Sequence, residues 1–249
     1  MLRTDAHFPM LNDPLNADRN PGRMLFDFGA MLACFVAQPV NRRVLDFCAG
    51  SCWISEWLNR MGHEVWAIDL HTDGTEILRL RAGCDQRVDL AALTYNSGDA
   101  HHLPYEDGFF GHICCFDSLH HMYDYERTLR EMARVLAPGG RAVFVEPGAS
   151  HSKAPETIAA VREKNDPAWI ERDVVLEEID ALARAAGFAP LVIRPMLPAN
   201  YIEYPLDRWQ AFRKGDNRLA MEYLDALKRI NYDDHLVFYL HKPLDAPPR

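Results

Sequence analysis

VLDFCAGSC, residues 44–52, decides the fold of this chain. Val44, Leu45 and Phe47 around Asp46 read as a short buried strand that delivers an acid to its tip. Cys-Ala-Gly-Ser follows as a tight turn of small residues. Helical spacing of Ile54, Trp57, Leu58 and Met61 begins directly behind it. A strand, a small-residue turn and an immediate helix bring backbone N–H groups and a helix N-terminus close to a ligand. Gly50 leaves the middle of the turn without a side chain. The next strand, EVWAID at 64–69, ends on Asp69, 19 residues beyond Gly50, where a carboxylate can accept both hydroxyls of a ribose.

Outward from this unit, strands and helices alternate. The sequence predicts further strands at 92–99, 108–117, 141–147, 188–195 and 234–243. It predicts helices at 21–38, 75–81, 125–136, 173–186 and 206–230, with Ala-Pro-Gly-Gly at 137–140 as a helix stop and turn. Such alternation implies an α/β fold: a Rossmann-like, seven-stranded, mostly parallel sheet with helices on both faces and an antiparallel last strand. Residues 1–38 read as an N-terminal helical cap and residues 39–249 as the main domain. Two stretches, 147–172 and 195–234, are not needed to build the sheet. They are expected near the sheet's carboxyl edge, the second as a substrate lid.

The chain has 249 residues, 48% hydrophobic and 25% charged, with a net charge of −9. That balance fits a packed globular domain and disfavours a phosphate backbone as partner. Arg42-Arg43 and Arg79 to Arg81 read as solvated ends of elements rather than a basic patch. No run approaches the roughly 18 apolar residues of a membrane helix, and acids and prolines occupy the N-terminus where a signal peptide would be apolar. A cytoplasmic location is expected, with the six cysteines as reduced thiols. CFDSLHH at 115–121 is not the Asp/Asn-Pro-Pro-aromatic motif of amino-group nucleic-acid methylation. The chain also lacks a Pro-Cys dipeptide for attack on cytosine. A small-molecule substrate is therefore expected, and the oligomeric state is left open.

Two cofactor classes use such a turn. A dinucleotide fingerprint would place glycine where Cys48 and Trp53 stand, and Trp53 at the point of close helix–strand packing argues against a pyrophosphate. S-adenosylmethionine (SAM) has no pyrophosphate and needs fewer glycines. The turn, AID at 67–69, the stretch from Gly98 to Met122 and LREMARVLAPGGRAVFVEP at 129–147 together resemble the class I SAM-dependent methyltransferases. The resemblance is to the small-molecule group that includes the quinone-biosynthetic enzymes, and it covers about residues 44–147. It implies that Asp46, Cys48 and Gly50 sit near the methionine moiety of SAM and Asp69 on the ribose. Leu70 would lie beside the adenine and Asp99-Ala100 at its edge. Phe116-Asp117 would line the methionine side near the methyl. The family's usual Asp-x-Gly-x-Gly-x-Gly is here Asp-Phe-Cys-Ala-Gly-Ser-Cys. A positive φ at Cys48 or Cys52 would therefore strain the turn by about 1 kcal/mol.

The resemblance places His120-His121 beside the transferred methyl, where an imidazole suits a general base. Both are candidate catalytic residues, and either could instead be structural. Glu146 and His151 lie at the carboxyl edge as candidate substrate contacts, Glu146 being alternatively an acceptor for loop amides. Tyr201, Tyr204, Trp209 and Phe212 are candidate pocket aromatics. Cys48 and Cys52 lack a second pair with ligand spacing, so no metal is expected. The expected function is methyl transfer from SAM to a small molecule, with S-adenosylhomocysteine (SAH) as product. An oxygen or carbon acceptor is favoured, on a secondary metabolite, sugar or quinone-like compound. A non-catalytic SAM/SAH-binding module and a nucleotide-dependent oxidoreductase are the alternatives.

Overall fold

The computed structural model describes residues 11–16, 20–37, 39, 41–166, 169–194, 204–228 and 235–244. Seven strands form one sheet: β1 (Arg43–Phe47), β2 (Glu64–Asp69), β3 (Leu93–Ser97), β4 (Phe110–Phe116), β5 (Leu136–Glu146), β6 (Val192–Ile193) and β7 (Leu236–His241). Their order is β3-β2-β1-β4-β5-β7-β6. Strands β1 to β5 pair in parallel, and β7 runs antiparallel between β5 and β6. The Rossmann-like sheet with an antiparallel last strand is as the sequence predicts. Because β1 pairs with β2 on one side and β4 on the other, chain order reverses between β1 and β4. A crevice opens there at the carboxyl ends of the strands.

Helices cover both faces. Helices α1 (Pro21–Leu32), α2 (Trp53–Arg60) and α3 (Gly74–Cys84) pack Phe28, Met31, Ile54, Leu58 and Ile77 onto Val44, Ala67 and Cys114. On the other face, α4 (Tyr125–Val135) and α6 (Leu176–Ala186) pack Leu129, Met132, Ile179 and Ala183 onto Leu45, Phe47 and Phe144. Strand β1 alternates between the two cores, which is why its sequence is apolar on both sides. Helix α5 (Pro155–Lys164) lies within the 147–172 insertion, and α7 (Leu206–Arg213) and α8 (Arg218–Lys228) follow β6.

Four predicted elements differ. The Ala-Pro-Gly-Gly segment is part of β5 rather than a turn, with an irregular register against β4 between Phe110 and His112. The backbone of Gly139 and Gly140 pairs with Lys242, whose Nζ also caps the Ala133 and Leu136 carbonyls at 2.8 and 2.7 Å. The end of α4 is thus closed from β7 and needs no local turn. The sixth strand shrinks to two residues. The single helix predicted at 206–230 is broken at Gly215, φ 100°. Arg81 is no solvated end. It is 2% exposed and donates to Ser51 O at 2.6 Å and Glu56 Oε2 at 2.9 Å, tying α3 to the turn after β1.

Gly111 in β4 sits against the segment that leads into β1, and a Cβ there would overlap the carbonyl oxygen of Asn41. Gly111→Ala should destabilise the protein by about 2–3 kcal/mol. Gly83→Ala, in α3 with open space around the added Cβ, should gain up to about 1 kcal/mol. Chemical denaturation of both variants checks this. Equal midpoints for wild type and Gly111→Ala would refute the packing described.

Candidate active site

The turn after β1 holds three positive φ values: Cys48 at 57°, Gly50 at 47° and Cys52 at 56°. The strain that the sequence made conditional is therefore present at both cysteines. Backbone bonds lock the turn: Ala49 N–H donates to Ile68 O at 3.0 Å and Cys52 N–H to Ala49 O at 2.7 Å. Asp69 joins the two strand tips. Its Oδ2 accepts from Gly50 N–H at 2.8 Å and its Oδ1 from His71 N–H at 3.2 Å. Asp46 is 2% exposed and accepts from Ser55 Oγ at 2.5 Å. Burial pushes its carboxyl up to about 6 against that hydrogen bond. The Cys48 and Cys52 thiols are pushed up as well, chiefly by burial, so neither is poised as a thiolate. Trp53 packs on Phe28 and Phe116, with ring centroids 5.3 and 5.4 Å away. The indole occupies the close helix–strand contact where a dinucleotide fold keeps glycine.

Along the edge, Leu70 is 75% exposed beside Asp69, and Ala100 is buried. Asp99 Oδ1 accepts from His101 N–H at 2.9 Å and contacts its Nδ1 at 2.7 Å. Phe116 and Asp117 end β4, with Asp117 at φ 47°. Arg23 of α1 reaches Asp117 at 3.1 and 3.2 Å and Asp27 at 3.0 Å, and Asp27 contacts His235 Nε2 at 2.9 Å. The N-terminal helix is latched to the β4 tip by this network. The sequence offered no pattern for it, because Arg23 and Asp117 are 94 residues apart.

Beyond the crevice, the structure gathers His120, His121, Glu146 and His151. Glu146 is fully buried. Its carboxylate accepts from Ser118 N–H at 3.0 Å, Leu119 N–H at 2.8 Å and His120 N–H at 3.4 Å, and contacts His120 Nδ1 at 2.8 Å. Both oxygens serve the loop below the surface. Of the two roles considered for Glu146, the structure places it in the loop-holding one, and direct substrate contact does not fit its burial. Burial alone would lower the His120 pKa, but the Glu146 hydrogen bond and the charges of Glu146 and Glu171 raise it. His121 is lowered, first by burial and then by His120. Its Nδ1 donates to Ile170 O at 2.8 Å.

At the centre is Glu171, which sequence reasoning missed. It accepts from His151 Nε2 and Trp169 Nε1, each at 2.8 Å, and lies 3.5 Å from His120 Nε2 and 3.8 Å from His121 Nδ1. It is carried in by the 147–172 insertion, anchored where Arg172 N–H donates to His120 O at 2.9 Å. Tyr201 lies outside the described residues. No hydrogen bond, ion pair or ring contact among the described residues joins Tyr204 or Trp209 to this cluster. Trp209 is 45% exposed and packs on Phe212 at 5.5 Å.

Residues 45–144 match the family model described as Methyltransferase domain. Methyltransferase GfsG of Streptomyces halstedii is 36% identical over 107 residues, 43% of this chain and 38% of that protein. A demethylmenaquinone methyltransferase of Deinococcus radiodurans is 34% identical over 107 residues, 42% and 43% of the two chains. The chain thus spans about two-fifths of the length of the curated relatives it matches. Among solved structures, YcgJ of Bacillus subtilis aligns with TM-score 0.58 at 22% identity over 88% of this chain and 99% of that one. A geranyl diphosphate C-methyltransferase of Streptomyces coelicolor aligns with TM-score 0.61 at 11% identity over 95% and 81%. These two likenesses establish the fold. No described helix is long and apolar enough to cross a membrane.

The raised carboxyl of Asp46 gives a pH signature. A group that holds its proton more tightly when folded stabilises the fold below its unfolded pKa of about 3.9, and that stability fades as pH rises to the folded value. Between about pH 4 and 6, wild type should lose roughly 2 kcal/mol that Asp46→Asn does not lose. Urea denaturation across that range reads the difference. Parallel curves for the two proteins would contradict it.

Proposed function

We propose, on the match of residues 45–144 to a methyltransferase-domain model, that the chain is a class I SAM-dependent enzyme that transfers the methyl group of SAM to an oxygen or acidic carbon of a small secondary-metabolite, sugar or quinone-like acceptor, in the cytoplasm and not on nucleic acid. The observation that carries this reading is the division of one sheet edge. A glycine amide clasped by Asp69 at 2.8 Å marks the β1–β2 tips. An imidazole–carboxylate cluster built on Glu146 marks the β4–β5 tips. The first suits a nucleoside and amino-acid cofactor, and the second suits an acceptor that must lose a proton.

In this reading Asp69 accepts from the ribose hydroxyls, with Leu70, Asp99 and Ala100 around the adenine. Asp46, Cys48, Gly50, Phe116 and Asp117 surround the methionine moiety. The acceptor atom attacks the methyl carbon while sulfur leaves with the C–S electron pair, giving SAH. The acceptor loses its proton to water beside the His120–His121 cluster. Alignment of the acceptor and exclusion of water supply most of the acceleration. Helix α1 forms a cap on this domain, and helix α7 belongs to a lid that brings Tyr204 and Trp209 to the acceptor.

Two measurements test the division. Asp69→Ala should weaken SAH binding by about 1.5–3 kcal/mol in titration calorimetry, the scale of lost charge-assisted hydrogen bonds. Unchanged affinity would remove Asp69 from the cofactor site. Trp209→Ala should leave SAH affinity unaltered yet lower turnover at least ~10-fold on an acceptor identified with methyl-labelled SAM. Wild-type turnover in a stably folded variant would show that the segment is no lid.

A further inference from the structure

Glu146 and Glu171 have only imidazoles as ion-pair partners; among the described residues, no lysine or arginine pairs with either. The hydrogen bonds also fix where the histidine lone pairs go. A carboxylate has no proton to give, so the 2.8 Å contact of His120 Nδ1 with Glu146 makes Nδ1 the donor. The neutral ring then presents the lone pair of Nε2, and what it faces, 3.5 Å away, is Glu171 Oε2. Two acceptors meet with no proton between them. His121 differs: its Nδ1 donates to Ile170 O at 2.8 Å and is also the nitrogen nearest Glu171, at 3.8 Å, so the free acceptor of its neutral ring is Nε2. One ligating atom from each of His120, His121 and Glu171 lies within 4.8 Å of the others. Such a convergence of ligand atoms has room for a cation in place of a proton.

We propose that His120, His121 and Glu171 bind a first-row divalent cation of the Zn2+ class, a departure from the expectation that the chain binds no metal. Two imidazoles and one carboxylate are a donor set used by catalytic zinc, which leaves a fourth position open. Ligand atoms about 2.0–2.1 Å from such an ion sit roughly 3.3–3.5 Å apart. The His120–Glu171 spacing meets this as it stands, and His121 closes the set by turning its Nε2 toward the ion. The outer contacts are those of a prepared site. Glu146 orients His120, the Ile170 carbonyl orients His121, and Trp169 and His151 hold Glu171 at 2.8 Å each. Resting on the methyltransferase reading, the open position takes the acceptor's oxygen and lowers its pKa. The two histidines then act through the cation rather than as the base, and the oxygen's proton leaves to water.

The test uses untagged, EDTA-treated full-length protein without SAM. Co2+ is titrated in, and its visible d–d absorption is followed, then reversed by competing Zn2+. Wild type should take up one Co2+ per chain with the strong bands of a four- or five-coordinate site. Glu171→Gln and His121→Ala should each weaken uptake at least about 100-fold. SAH affinity, measured in parallel, should stay at the wild-type value in both variants, which shows that they are folded. No stoichiometric uptake by wild type, or uptake that neither substitution disturbs, overturns the proposal and leaves the cluster holding a proton. A protein that binds Co2+ as described but not SAH would instead refute the methyltransferase reading and leave the cation site standing.

Discussion

A buried charge shapes this sheet edge. Glu146 ends β5 with no exposed surface, and an unpaired carboxylate there would be prohibitively unfavourable. The chain leaving β4 answers it. Consecutive amides of Ser118, Leu119 and His120 turn inward, and the imidazole of His120 adds a further contact. To present three consecutive N–H groups to one point, the backbone must reverse sharply. Asp117, at φ 47°, is where it does so. The same reversal sends the Asp117 side chain to Arg23 and so places α1 over the crevice. The tautomer of His120, the position of His121 and the seat of the N-terminal helix all follow from one carboxylate.

The turn after β1 works under a different constraint. It carries its strain at Cys48 and Cys52 instead of relieving it with glycine. What offsets that strain is local and buried. Arg81 bridges Ser51 and Glu56, Ser55 holds Asp46, and Cys52 is itself fully buried. A turn fixed from behind by a buried arginine keeps its shape without glycine's freedom. It also has little room to widen, consistent with a cofactor that lacks a pyrophosphate.

The backbone architecture was legible in the sequence because it rests on periodicity. Alternating apolar runs and helical spacing give strand number, direction and the two-faced core. Asp46, Gly50 and Asp69 were legible because each stands at a strand tip or turn that the same periodicity locates. What was not legible depends on long-range pairing. Arg81 looked like a solvated helix end, since nothing local says that Ser51 and Glu56 will surround it. Glu171 sits in a stretch with no helical or strand period, and only the folded insertion brings it against histidines 50 residues earlier in the chain. The helix at 206–230 was drawn too long, because an amphipathic pattern carries across Gly215 while the backbone does not.

This unevenness coincides with the boundary of the family match. The matched region ends at residue 144, two residues before Glu146. Within it lie the turn, Asp69, the β4 tip and both catalytic candidates, His120 and His121. Outside it lie His151, Trp169 and Glu171, which complete the cluster around those histidines. On the proposed reading, the family-matched part of the sheet holds the cofactor, and the insertion after β5 shapes the acceptor's surroundings. Here that insertion brings a carboxylate to two imidazoles, the outward Nε2 of His120 being turned toward it by the Glu146 contact at Nδ1. The cluster thus lies in the contact between a loop set by the sheet and a segment the sheet does not require.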